Sequence, residues 1–190
     1  MEYLKRYGWP AGLAIGLAAG LMLSGLWPHT PLHAVATDRK DTFAIATGFV
    51  DEGIEAVYYL DFLTGSLRAG VLSQKLPVFQ AMYETNVNAD LQRTIAYLNN
   101  SRRGAPAGAE LQLPATPNYI MVTGMNQMPG TSGPRRASLS TLYVAETNTG
   151  VVLAYVIPWS RGAHSAGQQI RDVLQLRAAD QFSSAVLRTK

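Results

Sequence analysis

Two patterns of apolar residues divide the chain. From Tyr7 to Thr37 there is no charged side chain, and within that run Pro10 to Trp27 reads PAGLAIGLAAGLMLSGLW. As a helix at about 1.5 Å per residue this stretch spans about 27 Å, close to the hydrocarbon thickness of a bilayer. Residues 8–27 are therefore predicted as a transmembrane helix behind a short basic N-terminus, 1–7, and ahead of a membrane-proximal linker, 28–42. Pro10 suits a first helical turn, Trp9 and Trp27 bracket the span as membrane-interface anchors, and Pro28 and Pro31 stop it. A signal peptide cut after Ala34-Val35-Ala36 is the competing reading. The apolar run exceeds a usual signal core of 7–15 residues, which favours a retained signal anchor. Lys5 and Arg6 precede the span and Arg39 and Lys40 follow it. The first pair lies nearer the bilayer, which predicts a single-pass protein with a cytoplasmic N-terminus and an extracytoplasmic (periplasmic or cell-surface) body. Gly8, Gly12, Gly16, Gly20 and Ser24 recur every four residues. Such a stripe of small side chains lets another backbone approach closely, so it predicts packing against other transmembrane helices.

After residue 42 the pattern changes to short alternating runs bounded by turn residues, which predicts strands. The runs repeat. Val57–Ser73, VYYLDFLTGSLRAGVLS, aligns without gaps to Leu142–Pro158, LYVAETNTGVVLAYVIP, with five identities in 17 pairs, among them Tyr58/Tyr143, Thr64/Thr149 and Gly65/Gly150. Upstream, 43–48 matches 119–124. The shared turn is D/E-x-x-T-G, in which the acid accepts turn N–H groups and the glycine supplies a positive φ. Fourth strands are predicted at 78–84 and 170–177. The fold class is thus mainly β: two repeated antiparallel β-meander units, 43–84 and 119–177, behind a single N-terminal transmembrane helix. Between them, 85–118 holds a short helix over 91–98, introduced by Asn88-Ala89-Asp90, and a Gly/Ala/Pro-rich loop. A second long loop covers 125–140, and 178–190 is a tail. The run Val152–Ile157 is apolar on both faces and is predicted to be covered on both.

The repeated hairpin resembles the inner-to-outer strand hairpin of a β-propeller blade of the quinoprotein-like kind. It lacks the tryptophan-centred docking motif of those repeats, and the resemblance implies no cofactor. Two such units leave open edges. Three arrangements manage them: a sandwich of the two sheets, a ring completed by several chains, or coverage by another protein.

Composition narrows the chemistry. Of the 190 residues 47% are apolar, enough for a core, and only 15% are charged, below the roughly 25% of soluble domains. Cysteine is absent, which excludes disulfides, thiolate metal sites and cysteine nucleophiles. The net charge of +3 does not argue for nucleic acid. No catalytic or nucleotide-binding motif stands out. His29 and His33 read as interfacial loop residues and His164 as a solvated loop residue. Asp51, Glu52 and Glu55 read as a solvated turn, and Asp61 and Glu146 as turn-makers. The arginine pairs Arg102-Arg103 and Arg135-Arg136, both in long loops, are candidate contacts to an acidic partner or lipid headgroups.

These readings converge on a non-enzymatic, membrane-anchored structural or accessory subunit of a membrane complex. Its partners would be other transmembrane helices, proteins or further copies of itself meeting its sheet edges and loops, and the membrane, with no nucleic acid, metal or cofactor. The alternative is a membrane-tethered ligand-binding module that uses the long loops.

Overall fold

The computed structural model describes residues 13–20, 37–102, 110–126 and 136–183. The chain divides into two compact units, 1–34 and 35–190. In the first, residues 13–20 are helical with exposed side chains. The rest of the predicted span, with Gly8, Gly12, Ser24, Trp9 and Trp27, lies outside the described residues, as do Arg103 and Arg135. Among the described residues no helix is long and apolar enough to cross a membrane.

The second unit is mainly β. Thr37–Arg39 (β1), Phe43–Asp51 (β2), Ile54–Asp61 (β3), Ser66–Leu72 (β4) and Phe79–Asn86 (β5) pair in chain order as an antiparallel meander. A helix, Val87–Ser101 (α1), follows. Tyr119–Met125 (β6), Ser140–Glu146 (β8), Val151–Val156 (β9) and Gln175–Gln181 (β12) form a second meander in the order β12-β9-β8-β6. Arg136–Ala137 (β7) and Pro158–Trp159 (β10) form a two-stranded ladder, and Arg161–Ser165 (α2) is a single turn of helix. Ile170–Val173 (β11) runs parallel to β5 as the last strand of the first sheet.

The predicted single strand over 170–177 is thus two strands in two sheets. Leu174, 2% exposed, marks the crossing, and β12 continues into the predicted tail as far as Gln181. Burying Leu174 between the sheets favours the crossing over a continuous strand with one wet face.

The two T-G turns share their bonding. Asp61 Oδ1 accepts from Leu63 and Thr64 N–H, and Glu146 Oε2 accepts from Asn148 and Thr149 N–H. Gly65 N–H donates to Asp61 O and Gly150 N–H to Glu146 O, both at 2.9 Å, with φ of 69° and 68°. The glycine carbonyls then accept from the residue after each fourth strand, Val87 N–H at 2.8 Å and Phe182 N–H at 2.9 Å.

α1 starts earlier and runs longer than predicted. Asn86 is its N-cap, accepting from Ala89 N–H at 2.9 Å. Its stripe Val87, Leu91, Ile95 and Leu98 joins the core. The helix contacts β4, β9 and β12, so it touches both sheets.

The sheets face each other over one continuous core, the sandwich among the three predicted arrangements. Where β2 passes β6 and β8 the fit is close: a Cβ on Gly48 would lie 2.5 Å from Ser140 Oγ and 3.0 Å from Thr123 Cγ2. Beyond the three residues covered by β1, the edge of β2 is closed by two hydroxyls and a backbone N–H. Thr123 Oγ1 donates to Thr47 O at 2.5 Å, Ser140 Oγ to Phe49 O at 2.8 Å, and Leu139 N–H to Val50 O at 3.1 Å.

Candidate functional site

Three acids among the described residues are buried: Asp51, Asp90 and Glu146. Asp51 ends β2 and is 1% exposed, which corrects its assignment to a solvated turn; Glu52 and Glu55 are exposed. Its carboxylate accepts from Trp159 Nε1 at 3.0 Å, Arg161 Nε at 2.6 Å, Arg161 Nη2, Arg136 Nη2 and its neighbour Glu52 N–H at 2.8 Å. Burial alone would raise its pKa. The bonds from Arg161, the Glu52 N–H, Trp159 and Arg136 outweigh that and hold the carboxyl well below the usual range. Asp51 therefore fastens the end of the first sheet to β7, β10 and α2. Arg136, one of the candidate partner contacts, is engaged in this cluster. Arg102 forms the C-cap of α1, donating its N–H to Leu98 O and Asn99 O.

Glu146 is 1% exposed and spends its oxygens on its own turn and on Asn118 N–H. Asp90 is 3% exposed and accepts from Tyr155 Oη at 2.9 Å, Thr85 Oγ1 at 3.1 Å and Arg93. Burial, then the neighbouring Asp90 charge, pushes the Tyr155 phenol far up, so it serves as a donor. Each of these acids is saturated by donors from its own chain.

His164 is also corrected: it is 2% exposed, with its ring 4.8 Å from that of Trp159. Its Nε2 lies 3.0 Å from Leu72 O, so Nε2 carries the proton, and its buried Nδ1 has no hydrogen-bond partner among the described residues. The flanking loop is tied down by Gln80 Nε2, which donates to His164 O and Gln168 O. The side chains that bind Asp51 and the carbonyl that accepts from His164 lie 85 to 110 positions away in sequence, so local pattern carried no signal for them. The lone tryptophan of the body, Trp159, was the one available hint.

The outer faces of the sheets present different chemistry. In the first meander the cross-strand row Ala46–Tyr58–Ala69–Tyr83 is buried, each at 1% exposure or less, and the adjacent row Ile45–Tyr59–Arg68–Glu84 faces outward. The corresponding rows of the second meander are reversed. Met121, Val144 and Leu153, the counterparts of Ile45, Tyr59 and Arg68, point inward at 4%, 0% and 1%. Val122–Tyr143–Ala154, the counterpart of Ala46–Tyr58–Ala69, lies on the outer side. The two meanders therefore meet with opposite faces.

No protein-family model matches this chain, and neither does a curated protein or a solved structure.

The consequence of the reversal is an apolar outer face on the second sheet. Ile120 is 49% and Val122 55% exposed, and Tyr143, Ala145 and Val152 complete the patch. An antiparallel sheet with one wet face normally alternates apolar-in and polar-out, so this is an exposed patch of the informative kind. Val152–Ile157 is covered as predicted over Ala154, Val156 and Ile157, at 9%, 1% and 0%, but Val152 remains half-buried. On the first sheet the outer face carries Phe43 stacked on Tyr59, with centroids 5.2 Å apart, beside Ile45 at 37% exposure.

Proposed function

We propose that the chain is a non-enzymatic, membrane-anchored accessory subunit whose β body, two copies of one meander unit, works by contact with other proteins outside the membrane. The observation that carries this reading is the apolar outer face built by Ile120, Val122, Tyr143, Ala145 and Val152. Ile120 and Val122, about half exposed, and the partly buried Tyr143, Ala145 and Val152 leave apolar area that a partner would remove from water, at about 25 cal/mol for each Å². Saturation of Asp51, Asp90 and Glu146 by donors of the same chain gives these acids structural work and supports the reading. The uncharged stretch 7–37 and the glycine register Gly8–Gly20 support anchoring by a helix that packs on neighbours.

The test is fractionation of the full-length protein. The chain is expected to stay with membranes through an alkaline wash, and a variant lacking residues 1–34 to be released with its body folded. Replacing Gly12, Gly16 and Gly20 with Leu is expected to keep the chain in the membrane and reduce what co-purifies with it in mild detergent. Release of the full-length chain by the wash would refute the anchor.

A further inference from the structure

The hairpin register gives the first sheet two distinct ends. Phe43 pairs with Asp61 at one end, and Asp51 with Ile54 at the other. Ala56 pairs with Val71, so the loop 73–78 between β4 and β5 lies at the Asp51 end and the β3–β4 turn at the Phe43 end. Along β1 the pairing runs from Arg39↔Ala44 back to Thr37↔Ala46, so the chain ahead of Thr37 points toward the Asp51 end. Nine residues, 28–36, lie between Thr37 and the predicted transmembrane span, and even fully extended they reach at most about 32 Å. The Asp51 end is also where apolar side chains stand in water: Leu72 at 58%, Leu76 at 63%, Val78 at 42% and Phe79 at 46% exposure. The loop that carries them is fixed. Lys75 Nζ donates to Ser165 O at 2.7 Å, and the Phe79 ring rests on Gly70, where a Cβ would lie 2.9 Å from its Cδ1. Its backbone donors are spent within it. Ser73 N–H donates to Val78 O at 3.0 Å and Val78 N–H to Leu76 O at 2.8 Å. Ser73 Oγ accepts from Lys75 N–H at 3.2 Å and Leu76 N–H at 3.4 Å, and Pro77 has no N–H.

We infer that the loop 72–79 is a second membrane contact, with Leu72, Leu76, Val78 and Phe79 entering the boundary between headgroups and acyl chains of the bilayer that anchors the chain. The inference rests on the anchoring reading and adds to it the surface by which the body meets lipid. Three observations select lipid as the occupant. The direction of β1 and the short connection to the span bring the Asp51 end toward the bilayer. A tether of this length makes the encounter intramolecular, so shallow insertion that would be weak for a free domain becomes effective. The loop's bonded N–H groups can leave water without being left unpaired. Lys75 is exposed among the apolar residues, so its ammonium can stay with the headgroups while its neighbours go deeper. Span and loop together hold the body with its Asp51 end toward the membrane and its β3–β4 turn away from it.

The absence of cysteine makes single-site labelling clean. Full-length Leu76→Cys and Leu63→Cys variants, the second at the β3–β4 turn and 81% exposed, are labelled with a nitrobenzoxadiazole dye. Each is reconstituted into phosphatidylcholine vesicles with and without lipid carrying a nitroxide high on its acyl chain. Both positions are exposed, and unchanged melting temperatures check that each variant folds. At Leu76→Cys the emission is expected to shift to the blue and to fall at least threefold with nitroxide lipid, and at Leu63→Cys to do neither. Three results would each overturn the lipid contact: water-like emission from the Leu76→Cys dye, a blue shift there that ignores the nitroxide because a protein chain covers the loop, or equal quenching at both positions. Flotation of the same vesicles keeps the two readings apart. A chain that floats with lipid but shows no quenching at Leu76→Cys refutes the loop contact and keeps the anchor. A chain that does not float refutes the anchor, and the loop contact with it.

Discussion

Asp51 is where a single side chain decides most. It gathers two guanidiniums, an indole N–H and a backbone N–H onto one buried carboxylate. Asp51→Ala removes the acceptor these donors share and is expected to cost about 3 kcal/mol in urea unfolding, the size of breaking a buried ion pair. The pH dependence has a definite sign. The folded-state pKa lies below the unfolded value of about 3.9, so the contribution is complete above that pH and fades as pH falls below it. Wild type is expected to lose stability steeply below about pH 4, and Asp51→Asn to flatten that loss. An equal acid slope in both would show that Asp51 is not the group responsible. Little of this was legible in D-E-G-I-E, because a carboxylate reads as solvated until its partners are known, and Arg161 is 110 residues away. His164 misled for the same reason: a Ser/Gly-rich setting suggests a loop tip, whereas Gln80 and Leu72 draw the segment onto β4 and β5.

At the scale of elements the turns were the most readable part, because their chemistry is local. Gly65 and Gly150 need a positive φ and also lie under a neighbour. A Cβ on Gly65 would meet the Asn88 side chain at 2.5 Å, and one on Gly150 would meet Ser183 Cβ at 2.4 Å and Ser183 N at 3.0 Å. Ala at either site is expected to destabilise by about 1–2 kcal/mol, with Gly150→Ala the worse because backbone must shift. Thermal melts of the two variants check the order. Asn86→Ala removes the N-cap of α1 and is expected to cost about 1 kcal/mol, read by the same melts. The helix itself was placed too short because Asn88-Ala89-Asp90 looked like the cap. Tertiary demands took both side chains instead: Tyr119 Oη donates to Asn88 Oδ1 at 2.6 Å, and Asp90 serves Tyr155. The split of 170–177 into β11 and β12 was not legible, since a strand that changes sheets keeps a strand's pattern.

For the whole molecule, the repeat in sequence pointed to two similar hairpins but not to which face each would bury. Tyr58 and Tyr143 occupy the same place in the repeat, and one is fully buried while the other faces outward. Alternation defines two faces and leaves the choice between them to packing. That choice creates the apolar outer face of the second sheet, through which the body is proposed to meet other proteins. The most direct measurement is the mass of the full-length particle in mild detergent by light scattering with the detergent contribution subtracted. Contact with partners through this face predicts a mass well above the 20.6 kDa of one chain for the wild type, falling toward one chain for Val122→Glu with the melting temperature unchanged. A wild-type particle of one chain with nothing attached, or a heavier particle indifferent to Val122→Glu, would contradict it.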